Sequence, residues 1–209
     1  IYHADIVLLM IDATNGPTDQ DAKMLEYALE HHKGVILIAN KTDLCQGEIP
    51  EFRKQFRAQV ASQLHFFPDI IVEFVSAKTG AGLDHLFRRV EEVWKKLNFQ
   101  ISTSKINDFF FEVIRQAPAP KWGTQNVKFY YLVKTKQVPP SFIAFANHPE
   151  GVTPSYRRFL AKRIQKEWGL EGIPIRIFVM KSESSKKRKR DPGSGEFGIG
   201  VLSEASGEK

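Results

Sequence analysis

The sequence is poor in cysteine and has no long apolar run. Only Cys45 is a cysteine among its 209 residues, so no internal disulfide can form and a disulfide-stapled scaffold is excluded. The longest apolar runs, residues 6–11 and 35–39, are far shorter than the roughly 20 residues that cross a bilayer. No basic segment followed by an apolar one opens the chain. We therefore expect a soluble, intracellular protein without a membrane partner.

The chain has enough apolar residues to form a core, and its charged residues are unevenly distributed along the sequence. Apolar residues make up 42% and aromatic residues 11%, which excludes a wholly disordered or fibrous protein. The formal net charge is +6, but residues 1–100 carry 11 basic and 14 acidic side chains, whereas residues 101–180 carry 12 basic and 5 acidic ones. This division predicts two units with different partners, and the basic unit is the one expected to meet phosphate.

The first unit, predicted to span residues 1–98, alternates short apolar runs with helical patterns. Unbroken apolar runs predict strands at residues 5–11, 35–39 and 70–75. Helical spacing predicts a helix capped by Thr18 or Asp19, and two more over residues 51–64 and 83–97. Strands of this kind alternating with helices are typical of an α/β fold with a parallel sheet that is covered on both faces.

The second unit, predicted to span residues 99–181, has a different order. Thr103 or Ser104 can cap a helix, two strands follow at 127–134 and 141–147, Pro154 opens a second helix, and residues 174–180 form a last strand. The order αββαβ predicts a small α+β domain. Residues 182–209 are rich in Ser, Lys and Arg and then in Gly, Ser and Glu, and we expect a disordered tail there.

Two short motifs follow buried strands of the first unit, at the sheet edge where α/β proteins bind ligands. They are Asn40-Lys41-Thr42-Asp43 and Ser76-Ala77-Lys78. A carboxylate such as Asp43 can accept hydrogen bonds from N1–H and the N2 amine of guanine, a donor pair that adenine lacks. The Lys41 stem can lie along the base, and Asn40 can tie the loops together. A backbone N–H of Ala77 or Lys78 can donate to guanine O6.

Each motif alone has an ordinary structural explanation. Asn-x-x-Asp after a strand is usually a turn, and Ser-Ala-Lys in the same position is usually a helix cap. Their joint occurrence, in this order and each after a buried strand, favours guanine binding by all six candidate residues: Asn40, Lys41, Asp43, Ser76, Ala77 and Lys78.

The same motifs resemble the guanine-specificity loops of translation-factor-related P-loop GTPases. Within the second unit, Pro139-Pro-Ser-Phe-Ile-Ala-Phe-Ala-Asn147 and Ser155-Tyr-Arg-Arg-Phe-Leu160 resemble the C-terminal KH-like domain of the Der (EngA) GTPases. The resemblance implies part of a Ras-like P-loop GTPase domain followed by a KH-like domain. It also implies GTP and GDP as ligands, the large ribosomal subunit or its rRNA as partner, a monomer, and a bacterial cytoplasmic location.

Two motifs of such GTPases are absent. The sequence contains no G-x-x-x-x-G-K-[ST] phosphate loop, and no D-x-x-G stands before Asp5. We therefore expect a fragment that keeps the base-reading loops, holds no catalytic residue and no metal, and is inactive alone. GTP hydrolysis and Mg²⁺ binding would then belong to the intact protein. The alternative is a non-enzymatic module that binds RNA or ribosomes without a nucleotide.

Basic side chains supply the candidate RNA contacts. Those on the second helix of the KH-like unit are Arg157, Arg158, Lys162 and Lys166, and those in the tail are Lys186, Lys187 and Arg188. Such groups act mainly on phosphates and give affinity without reading sequence. A solvated helix face is the alternative for the first set. For the tail, the alternatives are a nuclear import pattern and a merely solvating segment.

Overall fold

The computed structural model describes residues 3–45 and 49–182, and its elements have the predicted types and order. The first half contains β1 Ile6–Asp12, α1 Asp19–Glu30, β2 Gly34–Asn40, α2 Ile49–Gln63, β3 Ile71–Phe74 and α3 Leu83–Leu97. The second half contains α4 Thr103–Gln116, β4 Phe129–Lys134, β5 Ser141–Ala146, α5 Pro154–Glu167 and β6 Arg176–Lys181. Of the predicted tail at residues 182–209, all but residue 182 lies outside the described residues. The unit bounds 1–98 and 99–181 stay predictions.

The first sheet is parallel and has the order β1-β2-β3. The central strand β2 is buried on both faces, as its unbroken apolar run predicts. On β1 the prediction of a sheet covered on both faces is wrong, because Leu8 and Met10 are 47% and 56% exposed. Their side chains share one face of the strand with Ile6, which packs against the apolar side chains of α3. Among residues 3–45 and 49–182, α3 therefore covers that face only at the start of β1.

Local signals set where the first helix begins. Thr18 is the N-cap of α1: its hydroxyl accepts from the backbone N–H of Asp21 at 3.3 Å, and the Asp21 carboxylate accepts from the N–H of Thr18 at 2.8 Å. This reciprocal capping box satisfies two backbone donors that a helix start leaves unpaired. Of the two predicted caps, Thr18 or Asp19, the structure therefore selects Thr18.

The second half is an αββαβ unit, as predicted. Strand β5 is central, antiparallel to β4 and parallel to β6, and α4 and α5 bury their apolar faces against the sheet. Asn107 links α4 to β4 by two hydrogen bonds. Its side-chain amide donates to the carbonyl of Leu132 and accepts from the N–H of Leu132, each at 2.8 Å. A side-chain amide can thus extend the ladder of an edge strand.

The segment after α5 packs against the first half. Leu170 and Ile173 are 2% and 0% exposed and lie in one cluster with apolar side chains of β2 and α3. Gly169 has φ +61° and ends the helix, while Gly172 has φ +77° and comes so close to β3 that a Cβ would lie 2.6 Å from the carbonyl oxygen of Asp69. The Gly169-Leu-Glu-Gly172 segment is therefore a helix end and a junction between the halves.

Candidate functional site

The two predicted loops lie side by side at one edge of the first sheet. Asn40 is the last residue of β2, and Ser76 follows β3, its parallel neighbour. Because neighbouring parallel strands end at the same edge, the loops after them meet there. The N–H of Thr42 donates to the carbonyl of Val75 at 3.2 Å and links the two loops through their backbones.

Asn40 joins the loops a second time. Its Oδ1 accepts from the backbone N–H of Ala77 at 3.0 Å, so the side chain ties the loops as the sequence predicts. This bond uses the N–H that was one of two candidate donors to guanine O6. No hydrogen bond within the described chain uses the other, the N–H of Lys78. Of the two candidate donors to guanine O6, the backbone N–H of Lys78 is therefore the one without an acceptor in the described part of the chain.

Asp43 is oriented by Ser76. The Ser76 hydroxyl is fully buried, donates to Asp43 Oδ1 at 2.5 Å, and accepts from the N–H of Thr79 at 3.2 Å. The other carboxylate oxygen, Oδ2, has no hydrogen-bond partner among the described residues, and Asp43 as a whole is exposed. One oxygen thus fixes the carboxylate while the remaining lone pairs stay available to a ligand.

Lys41 is held by Asp12, a residue outside both predicted motifs. Its backbone has φ +66°, and its ammonium lies 2.6 Å from Asp12 Oδ2 at the end of β1. The hydrogen bond from Lys41, followed by those from Thr14, holds the pKa of Asp12 at about 2, below its ordinary 3.8. Asp12 in turn raises the pKa of Lys41. The signal that could have found Asp12 is its position: it follows a buried strand, as Asn40 does.

The candidate residues surround one pocket of about 360 Å³. It is lined by Asn40, Lys41, Asp43, Leu44, Ala77 and Lys78. Ser76 stands behind this pocket and acts through Asp43. The pocket therefore combines the carboxylate of Asp43, the stem of Lys41 and the backbone N–H of Lys78, which has no acceptor among the described residues. A site with these groups can bind guanine and discriminate against adenine.

The basic residues of α5 do not form one uniform face. Arg158, Lys162 and Lys166 are exposed and follow each other at intervals of four residues, and within the described chain none of them forms a salt bridge. Arg157 is half-buried, and its Nε has no hydrogen-bond partner there. The exposed line therefore contains three of the four predicted side chains. Lys186, Lys187 and Arg188 lie outside the described residues.

No group of three or more metal-ligating His, Cys, Asp or Glu side chains occurs in residues 3–45 and 49–182. The same part of the chain contains no helix that is long and apolar enough to cross a membrane.

Comparisons with known proteins match both halves. A model described as the elongation factor Tu GTP binding domain matches residues 1–96, and the KH-domain-like C-terminal model of EngA bacterial GTPases matches residues 100–180. GTPase Der of Caldanaerobacter subterraneus subsp. tengcongensis is 38% identical over 191 residues, 91% of this chain. Both halves of the chain are similar to GTPases of the Der (EngA) family. The predicted resemblance is thereby confirmed.

The match covers only part of the relatives. The chain spans 42% of that GTPase Der and 41% of the one from Thermoanaerobacter sp. (strain X514), which is 38% identical over 90% of this chain. Among solved structures, apo elongation factor SelB of Methanococcus maripaludis aligns with 47% of this chain and 21% of its own, at 24% identity and a TM-score of 0.36.

Proposed function

We propose that this chain supplies the guanine-reading loops of a GTP-hydrolysing factor that acts in assembly of the large ribosomal subunit in the bacterial cytoplasm. The observation that carries the nucleotide part is the pair of links between the loops, Ser76 to Asp43 and Ala77 to Asn40. Both hold polar groups in a geometry that a turn or a helix cap alone would not need.

The proposed recognition follows from the pocket chemistry. Asp43 accepts the hydrogen bonds of guanine N1–H and N2, the stem of Lys41 lies along the base, and Lys78 donates its N–H to O6. Adenine would leave the Asp43 carboxylate without a donor pair, which is the costly mismatch that gives specificity. The described residues and the sequence contain no phosphate loop, so we assign neither hydrolysis nor Mg²⁺ binding to them and derive no step through the metal.

The partner part of the proposal rests on charge. The exposed line Arg158, Lys162 and Lys166 lies in the basic half, which carries the KH-domain-like match. Three cations at this spacing along α5 would contact phosphates of rRNA and add affinity without reading sequence. The remaining candidate, Arg157, would contribute from the flank of this line.

The test of nucleotide recognition is Asp43→Asn in the complete protein. We expect a loss of GTP affinity of at least about 100-fold, and a gain for xanthosine triphosphate, because xanthine presents an acceptor where guanine has its amine. Asp84→Asn, which neutralises an exposed carboxylate in the first turn of α3, is the matched control and should bind GTP normally. If Asp43→Asn binds GTP normally as well, the assignment is wrong.

The absent phosphate loop favours one other candidate, a non-enzymatic RNA-binding module. In that case the complete protein would bind RNA and would bind neither GTP nor xanthosine triphosphate in any variant. Measuring RNA and nucleotide binding on the same samples separates the two functions.

A further inference from the structure

The outer edge of β3 carries a cationic groove that the guanine pocket does not use. β3 ends the sheet order β1-β2-β3 among the described residues, and α2 and α3 flank it on opposite faces. The groove measures about 370 Å³ and is lined by Arg53, Arg57, Glu73, Phe74, Gly82, His85 and Arg89. Its three arginines outnumber its single carboxylate, so the groove is positive before any protonation of His85.

On the α2 side, two guanidinium groups rest on one aromatic ring. Arg53 and Arg57 are one helical turn apart, and their Cζ atoms lie 5.2 Å and 5.4 Å from the ring centroid of Phe74. Within residues 3–45 and 49–182 neither arginine has a carboxylate at salt-bridge distance. Stacking on the ring holds each planar fork in place without using its charge for a protein anion.

On the α3 side, a buried carboxylate positions the other two groups. Glu73 is 7% exposed and accepts from Arg89 Nε at 2.6 Å, while its second oxygen lies 2.7 Å from His85 Nδ1. Arg89 also reaches Glu92 through Nη1 at 2.5 Å. The Nη2 of Arg89 has no acceptor among the described residues. Arg89 can therefore donate to a ligand in the groove, in addition to Arg53 and Arg57.

This positive groove stands in the acidic half of the chain. Residues 1–100 carry 14 acidic and 11 basic side chains, so the positive charge of the groove does not follow from a general excess of basic residues in this half. Arg53 and Arg57 have no carboxylate partner among the described residues, and a planar guanidinium of this kind suits the oxygen atoms of a phosphate or a carboxylate.

The groove fits a phosphate better than an added peptide strand. A peptide would have to pair with the free edge of β3, but Arg57 Nη2 already donates to the carbonyl of Val72 at 3.4 Å. A phosphate needs only the guanidinium donors, which approach from both sides of that edge.

We propose that Arg53, Arg57 and Arg89 form a site for a backbone phosphate of RNA, and that His85 completes its rim. This site gives the ribosomal partner of the proposed function a second contact, separate from α5. It rests on the proposed function in that the partner is RNA. The contact orients the first half against the same RNA that α5 reaches.

The experiment compares variants of the full chain for binding of a fluorescein-labelled RNA hairpin and of labelled poly-glutamate over a range of salt concentrations. Arg53→Gln with Arg57→Gln removes two charges from the groove. Lys54→Gln with Lys95→Gln removes two charges from the same helices outside it, and Arg158→Gln with Lys162→Gln removes two from α5. Urea unfolding of each variant checks that the fold is intact.

We expect the groove variant to bind RNA about tenfold or more weakly than the Lys54 and Lys95 control, because charge-assisted bonds are lost. The slope of log affinity against log salt should also fall by about 1 to 2, because fewer phosphates are neutralised. Poly-glutamate binding should change no more in the groove variant than in the control.

Equal RNA binding by the groove variant and the control overturns the site while leaving the proposed RNA partner in place, provided the α5 variant binds weakly. Loss of poly-glutamate binding as large as that of RNA overturns the preference for phosphate. If the unsubstituted chain does not bind the hairpin at all, both the site and the proposed RNA partner are wrong.

Discussion

The hydroxyl of Ser76 donates to the carboxylate of Asp43 at 2.5 Å, across 33 residues of sequence. Ser76 is fully buried while Asp43 is exposed, so the bond anchors a solvent-facing carboxylate to the rigid end of β3. A carboxylate held at one oxygen loses less conformational freedom when a ligand binds the other. The two loops therefore act as one pre-organised unit rather than as two separate turns.

Ser76→Ala should weaken both the fold and the pocket. The substitution removes the donor to the Asp43 carboxylate and the acceptor for the N–H of Thr79. Loss of a hydrogen bond to a charged group costs about 1.5 to 3 kcal/mol. Urea unfolding measures this loss, and guanine nucleotide affinity of the complete protein should fall as well. Ser155→Ala, which removes an exposed hydroxyl that accepts from Arg158 at 3.3 Å, is the control and should be neutral. Equal stability of the two variants would contradict the anchoring role.

The ion pair between Lys41 and Asp12 should be visible as a shifted titration. The folded-state pKa of Asp12 lies at about 2, below the ordinary 3.8, so the stabilisation that Asp12 provides is complete above about pH 4 and is lost as the pH falls towards 2. In Lys41→Met the carboxyl ¹³C resonance of Asp12 should titrate at a higher pH, while Lys41→Arg should keep the low midpoint. A midpoint that does not move in Lys41→Met would show that the bonds from Thr14 suffice.

Gly172→Ala should destabilise the junction between the halves more than Gly169→Ala does. Both glycines have positive φ, and an alanine at either position incurs a backbone cost of about 1 to 2 kcal/mol. At Gly169 nothing lies within 4 Å of the added Cβ, whereas at Gly172 the Cβ would meet the carbonyl oxygen of Asp69 at 2.6 Å. Thermal unfolding should therefore rank the two variants in that order. Equal melting temperatures would mean that the junction adjusts without cost.

Tyr156 should make stability depend on alkaline pH. Its hydroxyl donates to the carbonyl of Ala117 at 2.6 Å, and burial raises the pKa of Tyr156 to about 12. The folded state keeps this proton after an unfolded tyrosine has lost it, so its stabilisation is complete below about pH 10 and is lost as the pH rises through about 12. Tyr156→Phe should cost about 1 kcal/mol near neutral pH. The difference in unfolding free energy between the two proteins should shrink above pH 10, and a constant difference would contradict the shifted pKa.

Most of the local structure could be predicted because short-range signals agree with the fold. The apolar run of β2 is buried on both faces, and Thr18 caps α1 as its position predicts. The predicted cap of α4, Thr103 or Ser104, is wrong, because the Ser102 hydroxyl accepts from the N–H of Lys105 and caps that helix instead. Strand bounds moved by only one or two residues: the run predicted at 5–11 became β1 Ile6–Asp12, and that at 174–180 became β6 Arg176–Lys181. Hydrogen bonding within the sheet, which the sequence does not display, sets those ends.

The candidate site was predicted only where a motif is contiguous. Asn40 and Asp43 stand three residues apart, so their chemistry can be read together. Asp12 is distant in sequence, and nothing local shows that parallel pairing of β1 with β2 places it opposite Asn40 and within reach of Lys41.

The sequence by itself determined the element order, the two guanine-type motifs and the similarity to GTPase Der. Tertiary structure alone decided which distant side chains come together. Asp12 pairs with Lys41, Leu170 packs against the first half, and Arg53 and Arg89 line one groove at the edge of β3. The physical reason is range. Capping, periodicity and turns act within a few residues, whereas a charge or a buried side chain takes its role from neighbours that only the folded chain assembles.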